Sequence, residues 1–250
     1  MLTHDAALDW IARWDRQQEG YLPDREERFT ALIDAVEALD RPDPLVIDLG
    51  CGPGSLSARL LERLPEARVI SVDADPLLLG LGRAAYPRLT FVSADLRTPG
   101  WTASLGLDRP ADAAVSTTAL HWISPPDLKS MYAELATVLR SGGLLLNGDH
   151  FDSDDVTPAI ARVERAIHDK QTERTFAGRR PEDWRAWWDA VAADPALAEL
   201  NTARATAGAG RGPESALLSH HTGALRESGF TEMGTLWQRG NNRLLCAVRD

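Results

Sequence analysis

The stretch Val46-Ile47-Asp48-Leu49-Gly50-Cys51-Gly52-Pro53-Gly54 puts an acid near the end of an apolar run, then three glycines at alternate positions. Glycine lets a backbone turn sharply and approach a ligand closely. A helix starting directly afterwards points its free amides and its dipole into the same crevice. A nicotinamide or flavin fingerprint, G-x-G-x-x-G, would need glycine at position 55, where this chain has Ser55. Asp48 and Gly54 better suit a nucleoside ligand with an amino-acid tail, whose ammonium and carboxylate would meet the loop in place of a pyrophosphate. A plain tight turn is the alternative.

More polar groups follow at regular intervals, each at the end of an apolar run. Val69-Ile70-Ser71-Val72 leads to Asp73, 23 residues after Gly50, where a carboxylate can accept both hydroxyls of a ribose. Asp75 reads as the cap of the next helix. Leu146-Asn147-Gly148 leads to Asp149-His150, a pair that could bind an acceptor or deprotonate a hydroxyl, amine or carbon acid. Histidine suits that task because its unshifted pKa lies nearest neutrality.

Together these segments resemble the class I S-adenosylmethionine-dependent methyltransferases over residues 24–150 and 217–250. The phrase Ala119-Leu120-His121-Trp122 is similar to small-molecule members such as the trans-aconitate methyltransferases. The resemblance implies S-adenosylmethionine as cofactor, with S-adenosylhomocysteine as product. It also implies cofactor contacts from Asp48, Gly50, Cys51, Gly52 and Gly54, and from Asp73 with Ala74 beside it. Asp95 would take the adenine amino group, with the Leu96 backbone at a ring nitrogen. Thr117, Thr118 and Ala119 would lie near the sulfonium. Tyr21, Arg25 and Arg28 fall where relatives fold a segment over the cofactor, and Arg28 is assigned to the methionine carboxylate. His150, His121 and Tyr21 are the candidate bases. Trp122, Asp149, Trp184 and Trp188 are the candidate acceptor contacts.

These residues need a scaffold. Short apolar strands near residues 45–49, 69–72, 90–92, 113–116 and 144–147 alternate with helices near 56–64, 76–85 and 127–139, the last ended by Ser141-Gly142-Gly143. A short helical piece is expected near Trp101–Leu105. Such alternation predicts a parallel sheet covered on both faces. A helix near 217–228, strands 233–238 and 244–248 and a turn at Gly240-Asn241-Asn242 predict an antiparallel closing hairpin. The fold class is therefore α/β: a Rossmann-like, seven-stranded, mostly parallel sheet with a C-terminal hairpin and a helical insertion. Helices in 1–40 close over the cofactor, 41–150 and 214–250 form the core, and 151–213 is the insertion. Trp184, Trp187 and Trp188 share one helical stripe there, which reads as packing or, with Phe176, as an acceptor lid.

The chain has 250 residues, with 27 Lys+Arg against 37 Asp+Glu, a formal charge of −10. That balance argues against a nucleic-acid partner, whose phosphates demand clustered cations. No apolar run nears the ~20 residues of a membrane span, and no basic-then-apolar leader opens the sequence. Cys51 and Cys246 read as separate buried thiols of a cytoplasmic protein. No metal set emerges, and Asp152, Asp154 and Asp155 read as a helix-start cluster. His220-His221 reads as packed or solvated. The expectation is methyl transfer to an O, N or C nucleophile of a small molecule, by a monomer or homodimer. A methyltransferase of protein or nucleic acid, or a cofactor binder with another activity, is the alternative.

Overall fold

The computed structural model describes residues 2–152, 158–208 and 217–250. Two helices, α1 (His4–Glu19) and α2 (Arg25–Glu37), precede the first strand, β1 (Leu45–Leu49). Helix α3 (Ser55–Arg63), strand β2 (Arg68–Asp73), helix α4 (Pro76–Ala85) and strand β3 (Thr90–Ser93) follow. A short 3-10 turn over Trp101–Leu105 leads to β4 (Ala111–Thr117), α5 (Pro125–Val138) and β5 (Leu139–His150). Helices α6 (Pro158–Phe176), α7 (Trp184–Ala193) and α8 (Ala198–Ala207) form the insertion, and α9 (Leu218–Glu227), β6 (Phe230–Arg239) and β7 (Asn242–Arg249) close the chain.

Among the described residues the strands form one sheet in the order β3-β2-β1-β4-β5-β7-β6. β1 to β5 pair in parallel, whereas β7 runs antiparallel to both β5 and β6. Strand order reverses between β1 and β4, and in open α/β sheets such a reversal opens a crevice at the strands' C-terminal ends. All five residues of β1 are buried, as a strand covered on both faces requires. Phe29, Leu32 and Val36 of α2 and Leu56 and Leu60 of α3 pack one face. Leu128, Tyr132 and Leu135 of α5 and Leu225 of α9 pack the other.

Caps account for the sharper boundaries. The Asp75 carboxylate accepts from the amides of Leu77 and Leu78, so it starts α4 as its side-chain type predicts. Ser124 caps α5 with Pro125 behind it, two residues earlier than the apolar spacing places that helix. The Ser141-Gly142-Gly143 segment is not the stop of α5: the helix ends at Val138 and β5 begins at once. Gly142 holds φ +70° inside the strand, opposite a register shift between Ala111 and Ala113. A glycine pair in a strand marks an irregularity of this kind.

The insertion does not stay together. Glu164 of α6 accepts from Arg243 of β7 at 2.7 Å, so α6 leans on the closing hairpin. α7 and α8 instead pack on α1 and α4, where Trp187, Val191 and Leu197 join Trp10, Ile11, Leu77 and Leu81. Trp187 is fully buried there and belongs to the core, and Phe176 lies outside the cavity described below. Asp154, Asp155 and the loop expected over 208–213 lie outside the described residues, apart from Gly208. Asp152 accepts from Asn241 Nδ2. His221 is packed, hydrogen bonded to Tyr132 Oη at 2.7 Å. Both cysteines are free, and no described helix is long and apolar enough to cross a membrane.

Asp48 lies fully buried beneath the glycine turn, accepting from Ser57 Oγ at 2.6 Å, with its other oxygen unpaired. Burial pushes its carboxyl up to about 7. The folded chain thus keeps a proton that the unfolded chain releases near 3.8, so Asp48 withdraws stability as pH rises between those values. Asp48→Asn should therefore gain thermal stability over the parent as pH is raised from 5 to 8. A gain of several degrees in scanning calorimetry is expected, since ~1 kcal/mol moves Tm by about 2–4 °C at this size. An equal difference at both pH values would show that Asp48 is ionised throughout.

Candidate active site

A cavity of about 910 Å³ opens where the strand order reverses, toward the upper end of the range for ligand sites. The turn after β1 forms its floor. Gly50 adopts φ +68° and a Cβ there would lie 2.4 Å from Ala119 Cβ, so only glycine lets the turn press against the exit of β4. On the other side of that contact Thr118, a β-branched residue, is held at φ +50°, with its amide on Gly148 O. That left-handed conformation costs about 1–3 kcal/mol and places the polypeptide after β4 at the cavity wall.

Gly50, Cys51 and Gly52 line the cavity with Asp73, Ala74, Asp95, Leu96 and Thr117, as expected. The Asp73 carboxylate spans the turn, accepting from Gly52 N and Asp75 N, each at 2.8 Å. Burial raises its carboxyl to about 6, against the pull of those amides. Asp95 is gripped by Arg97, with Nε on Oδ1 at 2.9 Å and Nη2 on Oδ2 at 2.7 Å. That side-chain grip holds it below the usual carboxylate range.

Three expected cofactor contacts lie elsewhere. Asp48 and Gly54 do not line the cavity: Asp48 props the turn from below, and Gly54 caps α3 at φ +89°. Arg28 is completely buried behind the wall. Its Nη1 donates to Asn242 Oδ1 at 2.7 Å and its Nη2 to Thr117 Oγ1. Arg25, one turn earlier on α2, faces the cavity instead. Its Nη1 pairs with Asp15 at 3.0 Å, and its Nε and Nη1 are buried beneath the wall. Helical spacing alone could not choose between the two arginines.

At the other end stand His121, Trp122 and His150, with His168 and Arg165 of α6 and Asn241 of the hairpin turn. Asp149 does not reach the cavity. It is 1% exposed and lies behind His121, whose Nδ1 is 2.9 Å and 3.0 Å from its two oxygens. A carboxylate on Nδ1 fixes the tautomer and leaves Nε2 as the open nitrogen. Burial pushes the Asp149 carboxyl up, but His121 and the Arg28 guanidinium together hold it below its ordinary value. His150 is depressed, by burial first and by Arg28 second, against the opposing pull of Asp149. Its ring meets His168 edge-on at 5.8 Å.

Tyr21 lines the cavity, but its hydroxyl accepts from Trp184 N at 3.1 Å and so ties the α1–α2 connection to the start of α7. Trp184 and Trp188 also line it. Trp188 sits at the cofactor-type end, not among the acceptor groups: Arg204 lies 3.8 Å over its ring and bonds Asp75 at 2.7 Å. The sequence held no local signal for Arg97, Arg165, His168 or Arg204 as wall residues. All but Arg97 come from the insertion.

Residues 46–143 match the family model described as a methyltransferase domain. The chain is 38% identical over 133 residues to the trans-aconitate 2-methyltransferase of Azoarcus sp. (strain BH72), covering 53% of this chain and 49% of that protein. It is 36% identical over 100 residues to the enzyme of the same name from Escherichia coli O7:K1, covering 40% and 36%. The chain thus spans about half or less of the length of the curated relatives it matches. Among solved structures, an O-methyltransferase family protein from Burkholderia thailandensis superposes with TM-score 0.57 at 18% identity, over 99% of this chain and 63% of that one. Human N-acetylserotonin methyltransferase in complex with S-adenosylmethionine superposes with TM-score 0.52 at 14% identity, over 88% and 51%.

Replacing Arg28 by Met should raise the NMR titration midpoint of His150, because the guanidinium is one of the causes of its depression. The same change should cost about 3 kcal/mol or more of stability, as loss of a buried charge partner does. A midpoint that stays put would disconnect Arg28 from the site.

Proposed function

We propose that this chain, which carries a methyltransferase domain on the fold of the class I S-adenosylmethionine-dependent methyltransferases, transfers a methyl group from S-adenosylmethionine to a small molecule. The family and fold expected from the sequence are borne out. The observation that carries the reading is one cavity lined by the glycine turn, the amide-braced Asp73 carboxylate and Asp95. The Asp73 carboxylate fits a ribose diol, and the turn before α3 fits the amino-acid end of the ligand. Asp95 retains lone pairs beyond those Arg97 uses, as the adenine amino group requires.

Bound S-adenosylmethionine supplies a methyl already activated on a sulfonium, which leaves alignment and exclusion of water to the protein. Arg25, paired with Asp15, would form part of the wall at the amino-acid end. Asp73 would fix the ribose, and Gly50 lets the turn come close enough to do so. His121 is the base that the geometry favours, since Asp149 orients it and its open nitrogen faces the cavity. His150, depressed and without such a carboxylate on its ring, serves as wall and acceptor contact. Tyr21 tethers the roof. α6, which ends the cavity opposite the turn, lies outside the matched domain, so acceptor choice rests with this chain's own insertion and hairpin.

The reading includes no nucleic-acid or membrane partner, in keeping with the charge of −10. It places the protein in the cytoplasm, where its two free thiols stay reduced. Incubation with S-adenosylmethionine and candidate acceptors tests it. Each turnover should yield one S-adenosylhomocysteine and a product heavier by one methyl, and trans-aconitate is the first acceptor to try on the strength of the relatives' name. Failure to bind either form of the cofactor in calorimetry would refute the reading.

The ribose hydroxyls donate to the ionised form of Asp73, whose carboxyl burial sets at about 6 in the free protein. Affinity for S-adenosylhomocysteine should therefore fall as pH is lowered from 7.5 to 5. Asp73→Asn should weaken binding about tenfold or more at pH 7.5, as hydrogen bonds to a charged group are worth roughly 1.5–3 kcal/mol, and should flatten the pH dependence. Unchanged affinity would remove Asp73 from the ribose.

A further inference from the structure

The arginines of the cavity wall are already balanced. Arg25 pairs with Asp15 at 3.0 Å, Arg97 with Asp95 at 2.7 Å and Arg204 with Asp75 at 2.7 Å. Arg165 alone among the lining arginines has no ion-pair partner among the described residues. It is exposed on α6, and Asp169, also on the wall, follows one turn later. Of the three histidines here, His150 is pushed toward its neutral form by burial and by Arg28, His121 is paired with the buried Asp149 carboxylate, and His168 lies edge-on to His150. The remaining groups at this end include Trp122, Trp184, Asn241 and the apolar Leu120 and Ile123. A small polycarboxylate needs several uncommitted cations in fork geometry, and among the described residues this end offers one arginine, Arg165.

We infer that the acceptor is an uncharged molecule presenting a hydroxyl group, of which a phenol is the simplest form, and that His121 takes its proton. The inference rests on the methyl-transfer reading above and narrows it. The acceptor oxygen forms the new bond to the methyl carbon. The methyl–sulfur bond breaks with its electron pair left on sulfur, and the hydroxyl proton passes to His121 Nε2. The positive charge lost from sulfur thus reappears on the imidazolium, beside Asp149, so the site's net charge is unchanged by the step. A carboxylate acceptor carries no proton to remove, and the His121–Asp149 pair would then have no task. Trp122 supports an aromatic acceptor, its ring 4.6 Å from that of His121.

The test offers the intact protein S-adenosylmethionine with catechol, 2-naphthol and 4-methylphenol in one set, and trans-aconitate and citrate in the other. The readout is S-adenosylhomocysteine formed and product mass. Turnover is expected with the phenols and should exceed that with either acid. His121→Gln should lower it about 100-fold or more, the usual contribution of a positioned base, with S-adenosylhomocysteine affinity retained as proof of folding. Asp149→Asn should lower it as well, with the same affinity check. Faster transfer to trans-aconitate or citrate overturns the inference, as does phenol turnover untouched by His121→Gln. Absence of turnover with every phenol, in a protein that binds S-adenosylhomocysteine, also overturns it. A wild-type protein that binds neither cofactor form defeats the parent reading instead.

Discussion

A guanidinium with no exposure to solvent holds the catalytic edge together. Arg28 stands on α2, yet its two terminal nitrogens bond Thr117 at the end of β4 and Asn242 at the start of β7. Asn242 in turn donates to Asp24, the residue before α2, at 2.8 Å. Room for this side chain comes from Gly148, where a Cβ would lie 2.8 Å from Arg28 Cδ. Desolvation lowers the guanidinium to about 10, and Asp149 and Asp24 oppose that shift. It remains a cation at neutral pH, so its field reaches Asp149 on one side and His150 on the other. Burying a charge is costly unless its surroundings answer it. Here the answer is the set of groups whose relative placement the reaction needs.

Two buried acids at neighbouring strand positions show how placement divides labour. Asp48 and Asp73 both lie at or near the ends of adjacent strands, and both are raised by desolvation. Asp48 turns below the glycine turn onto Ser57, which also contacts Ser71 Oγ at 2.8 Å. It binds the turn to the sheet. Asp73 turns upward and is braced by two amides, each favouring its ionised form. The amides thus turn the Asp73 carboxylate toward the cavity, where a ligand can use it, while Asp48 stays beneath the turn.

Much of this was legible in sequence, for identifiable reasons. Strand-helix alternation, the glycine turn and the acid of β2 depend on short-range rules, and all three appear where those rules put them. Asp95, Leu96 and Thr117 followed from the family resemblance, which places such residues just past β3 and at the end of β4. Long-range pairing was not legible. Nothing in Arg25-Glu26-Glu27-Arg28 tells which arginine looks into the cavity and which is buried against a strand more than 200 residues later. Asp149 reads as a ligand from its place at a strand end, but the side chain points inward to a histidine 28 residues upstream. The Trp stripe of α7 was visible as a stripe. Its division between core (Trp187) and wall (Trp184, Trp188) depends on α1 and α4.

The insertion's division into two parts gives the site its asymmetry. α7 and α8 belong mechanically to the cofactor-type end: Arg204 reaches Asp75, next to the loop that carries Asp73, and Leu200 packs against Gly80 of α4. α6 belongs to the hairpin, through Glu164 and Arg243. On the proposed reading, the parts that would recognise the nucleotide and those that would face the acceptor are thus fastened to different regions of one sheet. Arg165 and His168 can vary with α6 while the contacts of Asp73, Arg25 and Arg204 stay fixed. His121, just after β4, and Asp149, on β5, lie between them, and there Arg28 adjoins His121 through Asp149. A change of acceptor on this scaffold would need only α6 and the hairpin turn to alter, whereas a change in the need for a base would have to alter the buried pair itself.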